Sequence, residues 1–409
     1  MLIVQKYGGA TLSDPLKIKN VALRISQLAK AGHQIIVVVS AMGKTTNTLI
    51  DLAQQVSQSP QRRELDMLLS VGERISMSLM SIALNDINCP AISFTGSQAG
   101  ILTNDSHLNA LITDVKATRV AEALNNNKVV ILAGFQGVSP LTKEITTLGR
   151  GGSDTTAVAM AAAFKAERCE ILKDVPAIFS ADPKIVKDAR SIETLSYEAL
   201  LDMTFWGAKV LHYRSVELAM QRGVTLYIGP AADSGALGTL LSPKSKNLSE
   251  NKINDQKESF MFESTRPVSI NSHENVIQVL CKNKNSSDCL NSFLKFLETH
   301  QIASPQILEM TTLNKDTRLL LTGPSEVVES LVLAISKSQE FILESQSLCS
   351  ITMTCLGASS PELPQMILKT LQDHQIQTHQ LILGGMSVTA LMNRSDRDKA
   401  ILKLHDLIK

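Results

Sequence analysis

A chain of 409 residues, 44% of them hydrophobic and 19% charged, is long enough for two or three domains with real cores and is not composed like a disordered protein. Its net charge is +1, and no basic stripe is interleaved with aromatics, so nucleic acid has no electrostatic claim on it as a partner. Six cysteines, at 89, 169, 281, 289, 349 and 355, form no CxxC pair and no Cys/His cluster with zinc spacing, so reduced thiols and no metal centre are expected.

Over roughly the first 240 residues, strand and helix patterns alternate, as in an α/β sheet with helices on both faces. Residues 2–5 read as a strand and lack the layout of a signal peptide. Residues 15–31 read as a helix with Ile18, Val21, Ile25 and Leu28 on one face. QIIVVVS at 34–40 is a buried strand, and 46–56 and 64–84 are helices. Further strands are expected at 91–95, 129–133 and 170–172, with an Ala-rich helix at 157–166. No apolar run approaches the ~18 residues of a membrane helix, so a cytoplasmic protein with no membrane partner is expected. In such a sheet, ligands bind at the carboxyl ends of the strands.

The composition changes near Ser242. PKSKNLSENKINDQKES, at 243–259, is polar and almost free of apolar residues, as a linker or long exposed loop would be. A double repeat follows. Its first copy has strands at 276–281, 307–312 and 318–322 and helices at 289–297 and 326–336. Its second has strands at 351–356, 381–383 and 387–391 and helices at 363–371 and 400–408. Two βαββα units of this kind suggest two small ferredoxin-like domains. Neither carries a cluster of catalytic side chains, which favours a binding or regulatory role.

Four segments could carry chemistry. Gly149-Arg150-Gly151-Gly152-Ser153-Asp154 precedes a helix. Its glycines admit an anion to the backbone, the helix start favours negative charge, and Arg150 can grip a carboxylate with two hydrogen bonds. The same glycines could simply turn the chain. Lys6-Tyr7-Gly8-Gly9 ends the first strand, where Lys6 could meet a transferring phosphoryl group. Ser40-Ala41-Met42-Gly43-Lys44-Thr45-Thr46 imitates the end of a P-loop, but Val38 stands where that motif needs a glycine. Glu73, inside an apolar helix, must be paired or must line a cavity. It could accept a substrate ammonium, or it could pair with Arg74.

Together these segments resemble the aspartate kinases. KYGG, SAMGKTTN, LLSVGERIS, SFTGSQAG, VILAGFQGV, TTLGRGGSDTTA and GAKVLH occur in the family's order over residues 1–240. The resemblance implies an α/β fold, with an amino-acid-kinase sheet sandwiched by helices at 1–242, a linker at 243–265, and two ferredoxin-like (ACT) βαββαβ domains at 266–344 and 345–409. It implies ATP with Mg2+ on the nucleotide phosphates, L-aspartate as substrate, an amino-acid effector at the ACT domains, and a homo-oligomer formed through them. Lys6 and Asp154 would be catalytic. Ser40, Thr45, Thr46, Glu73, Arg150, Gly151, Gly152 and Ser153 would line the aspartate and phosphate region. Lys6, Tyr7, Gly8, Gly9, Lys173, Asp174, Phe179, Ser180, Ala181, Asp182, Pro183, Lys184 and Lys209 would hold ATP.

The chain departs from the family's pattern at Ala10, Pro176-Ala177, Lys184 and Tyr213. It departs further at 281–285 and 377–387, where the family shapes an effector pocket, so inhibition by lysine or threonine is expected to be weak, absent or answerable to another ligand. Two other functions remain open. One is an amino-acid kinase acting on a different carboxylate. The other is a catalytically inactive regulatory homologue.

Overall fold

The computed structural model describes residues 1–231, 238–242, 266–356 and 362–408. The polar segment at 243–265 lies outside the described residues. The described residues of Met1–Ile178, Ser191–Thr204 and Lys209–Lys257 form one compact unit; those of Phe179–Arg190, Phe205–Ala208 and Glu258–Lys409 form another.

The first unit is built on strands β1 (Leu2–Tyr7), β2 (Gln34–Val39), β3 (Ala91–Phe94), β6 (Val129–Ala133), β9 (Arg168–Lys173), β12 (Leu226–Pro230) and β13 (Thr239–Leu241), in the order β13-β12-β9-β1-β2-β6-β3. Every neighbouring pair is parallel except β12 with β13. The central strands are buried on both faces, which is why β2 and β6 read as unbroken apolar runs. Helix α1 (Pro15–Lys30) starts where the Asp14 carboxylate accepts the Lys17 N–H at 3.0 Å, and it buries Ile18, Val21, Ala22 and Ile25. Helices α2 (Thr45–Val56), α3 (Arg62–Asp86), α4 (Thr118–Asn125), α5 (Gly152–Ala163), α6 (Tyr197–Phe205) and α7 (Tyr213–Arg222) follow in chain order.

Several features differ from expectation. Helix α5 begins five residues earlier than its Ala-rich stretch, so Ser153 and Asp154 lie in its first turn. Strands β4 (Ile101–Thr103), β5 (Ile112–Val115), β7 (Gln136–Val138) and β8 (Ile145–Thr147) make a separate sheet in the order β5-β4-β7-β8. With three or four residues each, they are too short to show a period of two. Strands β10 (Ile178–Phe179) and β11 (Ser191–Ile192) pair with each other. Helix α3 is, by length and composition, apolar enough to cross a membrane, where no such run was expected. Half of its most apolar window is buried in the protein.

The second unit holds one six-stranded sheet. Its strands are β14 (Arg266–Cys281), β15 (Gln306–Leu313), β16 (Asp316–Thr322), β17 (Phe341–Leu356), β18 (Thr378–Leu383) and β19 (Ser387–Asn393), in the order β15-β16-β14-β17-β19-β18. Helices α8 (Ser286–Thr299) and α9 (Ser325–Ile335) share a core with Ile277, Val279, Leu319, Leu321 and Phe341. Helices α10 (Glu362–Asp373) and α11 (Arg397–His405) share another with Ile351, Met353, Val388 and Ala390. The double repeat is therefore present, joined through the antiparallel pair of β14 and β17. Both strands run 16 residues, far beyond the expected 276–281 and 351–356. Register shifts at Pro267/Ser269 and His273/Val276 break the side-chain alternation, hiding the first half of β14 from a period-two reading.

Candidate functional site

The carboxyl ends of β1, β2 and β9 lie side by side, with Lys6 paired to Val38 and to Ile171. The turn after β1 is tight. The Gly43 N–H donates to Gly9 O at 3.0 Å, and a Cβ on Gly9 would stand 2.6 Å from Ala41 O. The Thr11 hydroxyl closes this turn on Gly8 O at 2.6 Å. Only a glycine lets the chain after β2 come so near the chain after β1.

Lys6 Nζ lies 2.6 Å from Asp154 Oδ1, and each side chain is 8% exposed. Asp154 sits in the first turn of α5, where the helix dipole favours a carboxylate. Burial acts to raise its pKa, but the ammoniums of Lys6 and Lys173, with the Lys6 hydrogen bond, outweigh it and hold the carboxyl below its ordinary range. Lys173, at the end of β9, donates to the Val210 carbonyl. Burial lowers the Lys173 pKa, Asp154 opposes that shift, and the Lys6 charge adds to it. Two basic side chains thus face one carboxylate, an arrangement that suits an arriving anion.

Glu73 is 4% exposed on α3. Its Oε1 accepts the Ala41 N–H at 3.1 Å, while its buried Oε2 has no hydrogen-bond partner. Burial pushes its pKa up to about 7, against the Ala41 N–H and the Lys6 charge. Arg74 is not its partner, because its Nε points to Gln136 Oε1 at 3.5 Å. A buried carboxylate oxygen of this kind is suited to accept from a cation or donor.

Arg150 is exposed beside these groups in sequence, on the loop that opens α5. Gly151 caps that helix with φ 69°, in the left-handed region, and a Cβ there would stand 2.1 Å from His212 Cβ. Gly152 and Ser153 are buried in the first turn. The Thr45 hydroxyl is spent on Met42 O at 2.7 Å. Ser40 and Thr46 are partly buried, and Asp174 and Lys209 are exposed.

Phe179, Ser180, Ala181, Asp182, Pro183 and Lys184 belong to the second unit. There Ala181 packs into the core with Val186 and Ile351, and the Ser180 hydroxyl meets His405 Nε2 at 2.9 Å. Asp182, Pro183 and Lys184 are exposed.

Sequence reasoning missed the polar groups beneath the site. Gln5 Nε2 donates to Glu170 Oε2 at 2.6 Å, and Arg168 Nε holds Glu170 Oε1 at 2.6 Å. Asp66, fully buried on α3, accepts from the Thr147 hydroxyl at 2.5 Å and the Leu108 N–H at 3.1 Å, and lies 2.6 Å from His107 Nδ1. An acid among the apolar residues of α3 was the available signal, since such a group must be satisfied from outside its own helix.

Comparisons with known proteins agree on one family. The profile of the amino acid kinase family matches residues 1–230. An aspartokinase of Mycobacterium tuberculosis (strain ATCC 25618 / H37Rv) is 54% identical over 227 residues, covering 56% of this chain and 54% of that one. The chain thus spans about half the length of the mycobacterial relatives it matches. An aspartokinase of Bacillus sp. (strain MGA3) is 36% identical over 416 residues, covering 99% of this chain and 96% of that one. The crystal structure of E. coli aspartokinase III in complex with aspartate and ADP superposes with a TM-score of 0.79, at 22% identity and full coverage of both chains.

Proposed function

The chain belongs to the aspartokinases of the amino acid kinase family, and from that premise we propose that it transfers the γ-phosphoryl group of ATP to the side-chain carboxylate of L-aspartate. The observation that carries this reading is the buried Lys6–Asp154 pair with Lys173 beside it, at the carboxyl edge of a parallel sheet. The two basic side chains fit the phosphates of ATP, and the tight Gly8-Gly9 turn fits their close approach. Magnesium would arrive on those phosphates. Among the described residues, no cluster of three metal-ligating side chains is present.

The chemistry needs little from the protein beyond placement and charge. A β-carboxylate oxygen attacks the γ-phosphorus, the bond to the β,γ-bridging oxygen breaks, and ADP leaves with that electron pair. The nucleophile is already an anion, so no proton is removed. Lys6 would neutralise the transferring group, with Asp154 holding Lys6 and Lys173 in place. Glu73 Oε2 would take the substrate ammonium and Arg150 the α-carboxylate. An N-acylated substrate has no ammonium and would leave Glu73 Oε2 unpaired, which disfavours a kinase of that kind.

ADP release with Mg-ATP, with and without L-aspartate, tests the reaction, and hydroxylamine trapping identifies an acyl phosphate. ATP binding without aspartate-dependent ADP release would favour the inactive regulatory homologue. Arg150→Ala is expected to raise the KM for aspartate by about ten- to a hundred-fold, the worth of a charge-assisted contact. A change confined to the KM for ATP would reverse the two subsites.

The product would feed lysine, threonine and methionine synthesis in the cytoplasm. The described cysteines are all free and buried, consistent with a reducing compartment. Residues 1–242 would be the catalytic domain, and 266–344 and 345–409 the ACT domains, through which copies of the chain would associate. The loop after β14 is tied to β16 and to Glu340. Lys284 pairs with Glu340, the Thr317 hydroxyl donates to Lys284 O at 2.7 Å, and the Asn283 N–H donates to Asp316 at 2.9 Å. With these groups already satisfied, inhibition by lysine or threonine is expected to be weak, absent or answerable to another ligand. Micromolar binding with matching inhibition would overturn this.

A further inference from the structure

The loop that carries Arg150 is gripped from two sides. On one side, Asp66 of α3 holds Thr147 and Leu108. On the other stands the start of α7. There the Arg214 guanidinium donates to Leu148 O at 2.7 Å, Asn109 Oδ1 at 3.1 Å and Ala110 O at 2.9 Å. His212 is the N-cap of α7, and its Nδ1 accepts the Arg214 N–H at 3.4 Å. The same side chain lies against Gly151 so closely that a Cβ at that position would fall 2.1 Å from its Cβ and 2.7 Å from its Cγ. One residue therefore caps α7 and also abuts the left-handed N-cap of α5, with Arg150 one position before and Asp154 three positions after.

We propose that His212 is a positioning residue for the phosphoryl transfer: its side chain, through Cβ, Cγ and the ring edge at Cδ2, buttresses Gly151 and so fixes where Arg150 meets the substrate carboxylate. The proposal rests on the reading of Arg150 given above. Accepting at Nδ1 requires that nitrogen to be unprotonated, so the ring serves in its neutral form with the proton on Nε2. The groups facing it agree with that. Burial and the Arg214 charge lower the pKa of His212, Asp154 raises it, and Arg150 lowers it again, with the net shift downward. A carboxylate nucleophile needs no general base, so His212 has no proton to take in the reaction.

A capping role and a buttressing role separate by substitution in the full-length protein. Asparagine is a strong N-cap and can accept the Arg214 N–H, and it keeps Cβ and Cγ, but it lacks the ring edge whose Cδ2 stands 3.4 Å from the same Gly151 position. H212A is expected to lose thermal stability and H212N to recover it. Both are expected to raise the KM for L-aspartate by about ten-fold, since displacement of a clamp by about an ångström can cost up to a hundred-fold, while MgADP affinity by calorimetry holds within about two-fold. If His212 works through Arg150, H212N adds nothing to the KM of R150A. Additive effects in that double variant, or a normal aspartate KM in H212N, would overturn the proposal. An unchanged aspartate KM in R150A alone would instead remove the Arg150 assignment, and the proposal with it.

Discussion

Lys6→Ala is expected to lower kcat by two to three orders of magnitude, while nucleotide binding falls far less. Removing one preorganised donor to a developing charge in a dry site costs about 10²–10³ in rate. The same change should also weaken the fold. Lys6 and Asp154 are both almost fully buried and 2.6 Å apart, so the variant leaves Asp154 with its nearest cation gone. Breaking one half of a buried pair typically costs about 3–5 kcal/mol, and Lys173 offsets part of that. The sign is set by the depressed Asp154 pKa. The native pair stabilises the fold above the ordinary carboxylate range, and this is lost as pH falls through the folded value. The Tm deficit of Lys6→Ala should therefore be large at neutral pH and shrink in acid. Adding Asp154→Asn should recover stability without recovering turnover. A Lys6→Ala enzyme within ten-fold of the native kcat would remove Lys6 from the reaction.

Glu73→Gln should separate binding from stability. In the native protein the folded pKa is about 7, against 4.5 for an unperturbed glutamate. Between those values the folded state holds a proton that the unfolded chain has released, so stability falls as pH rises through that window. At about 1.4 kcal/mol per pKa unit, the penalty above pH 7 is roughly 3 kcal/mol. Glutamine never ionises, so the variant should melt higher than the native protein at pH 8, and the difference should vanish near pH 4. L-Aspartate should act in the opposite sense. Its ammonium beside Oε2 favours the carboxylate, so binding near pH 6 should release a proton, seen by calorimetry in buffers of different ionisation heat. Glu73→Gln should abolish that release and raise the aspartate KM by about ten- to a hundred-fold, the worth of a hydrogen bond to a charged group, with ATP unaffected. A pH-independent Tm difference with a normal aspartate KM would refute the ammonium role.

Much of this site could be nominated from the sequence because its members occupy recognisable places. Lys6 ends an apolar strand, Asp154 follows a glycine-rich loop, and Glu73 is an acid inside an apolar helix. The partners of these residues could not be read the same way. Arg74 is the neighbour of Glu73 in sequence, yet adjacent helical positions do not face each other, and Glu73 turns to Ala41 while Arg74 turns to Gln136. Only the resemblance assigned Phe179–Lys184 to ATP, and their place could not be read locally: the structure counts them with the second unit, where Ala181 fills a core position.

The sequence by itself determined the longer elements and the chemical inventory. Long parallel strands must be apolar throughout, amphipathic helices must show a 3.6-residue period, and anion-binding turns need glycine, so each leaves a local signature. Only the tertiary structure decided who meets whom. Lys6 and Asp154 come within 2.6 Å because β1 lies between β2 and β9 with α5 packed against it. His212 reaches Gly151 because α7 packs against α5. The shift of Glu73 to about 7 follows from burial. Strand order, helix contacts and burial are long-range outcomes of how the chain closes on its core, and no local window of residues records them.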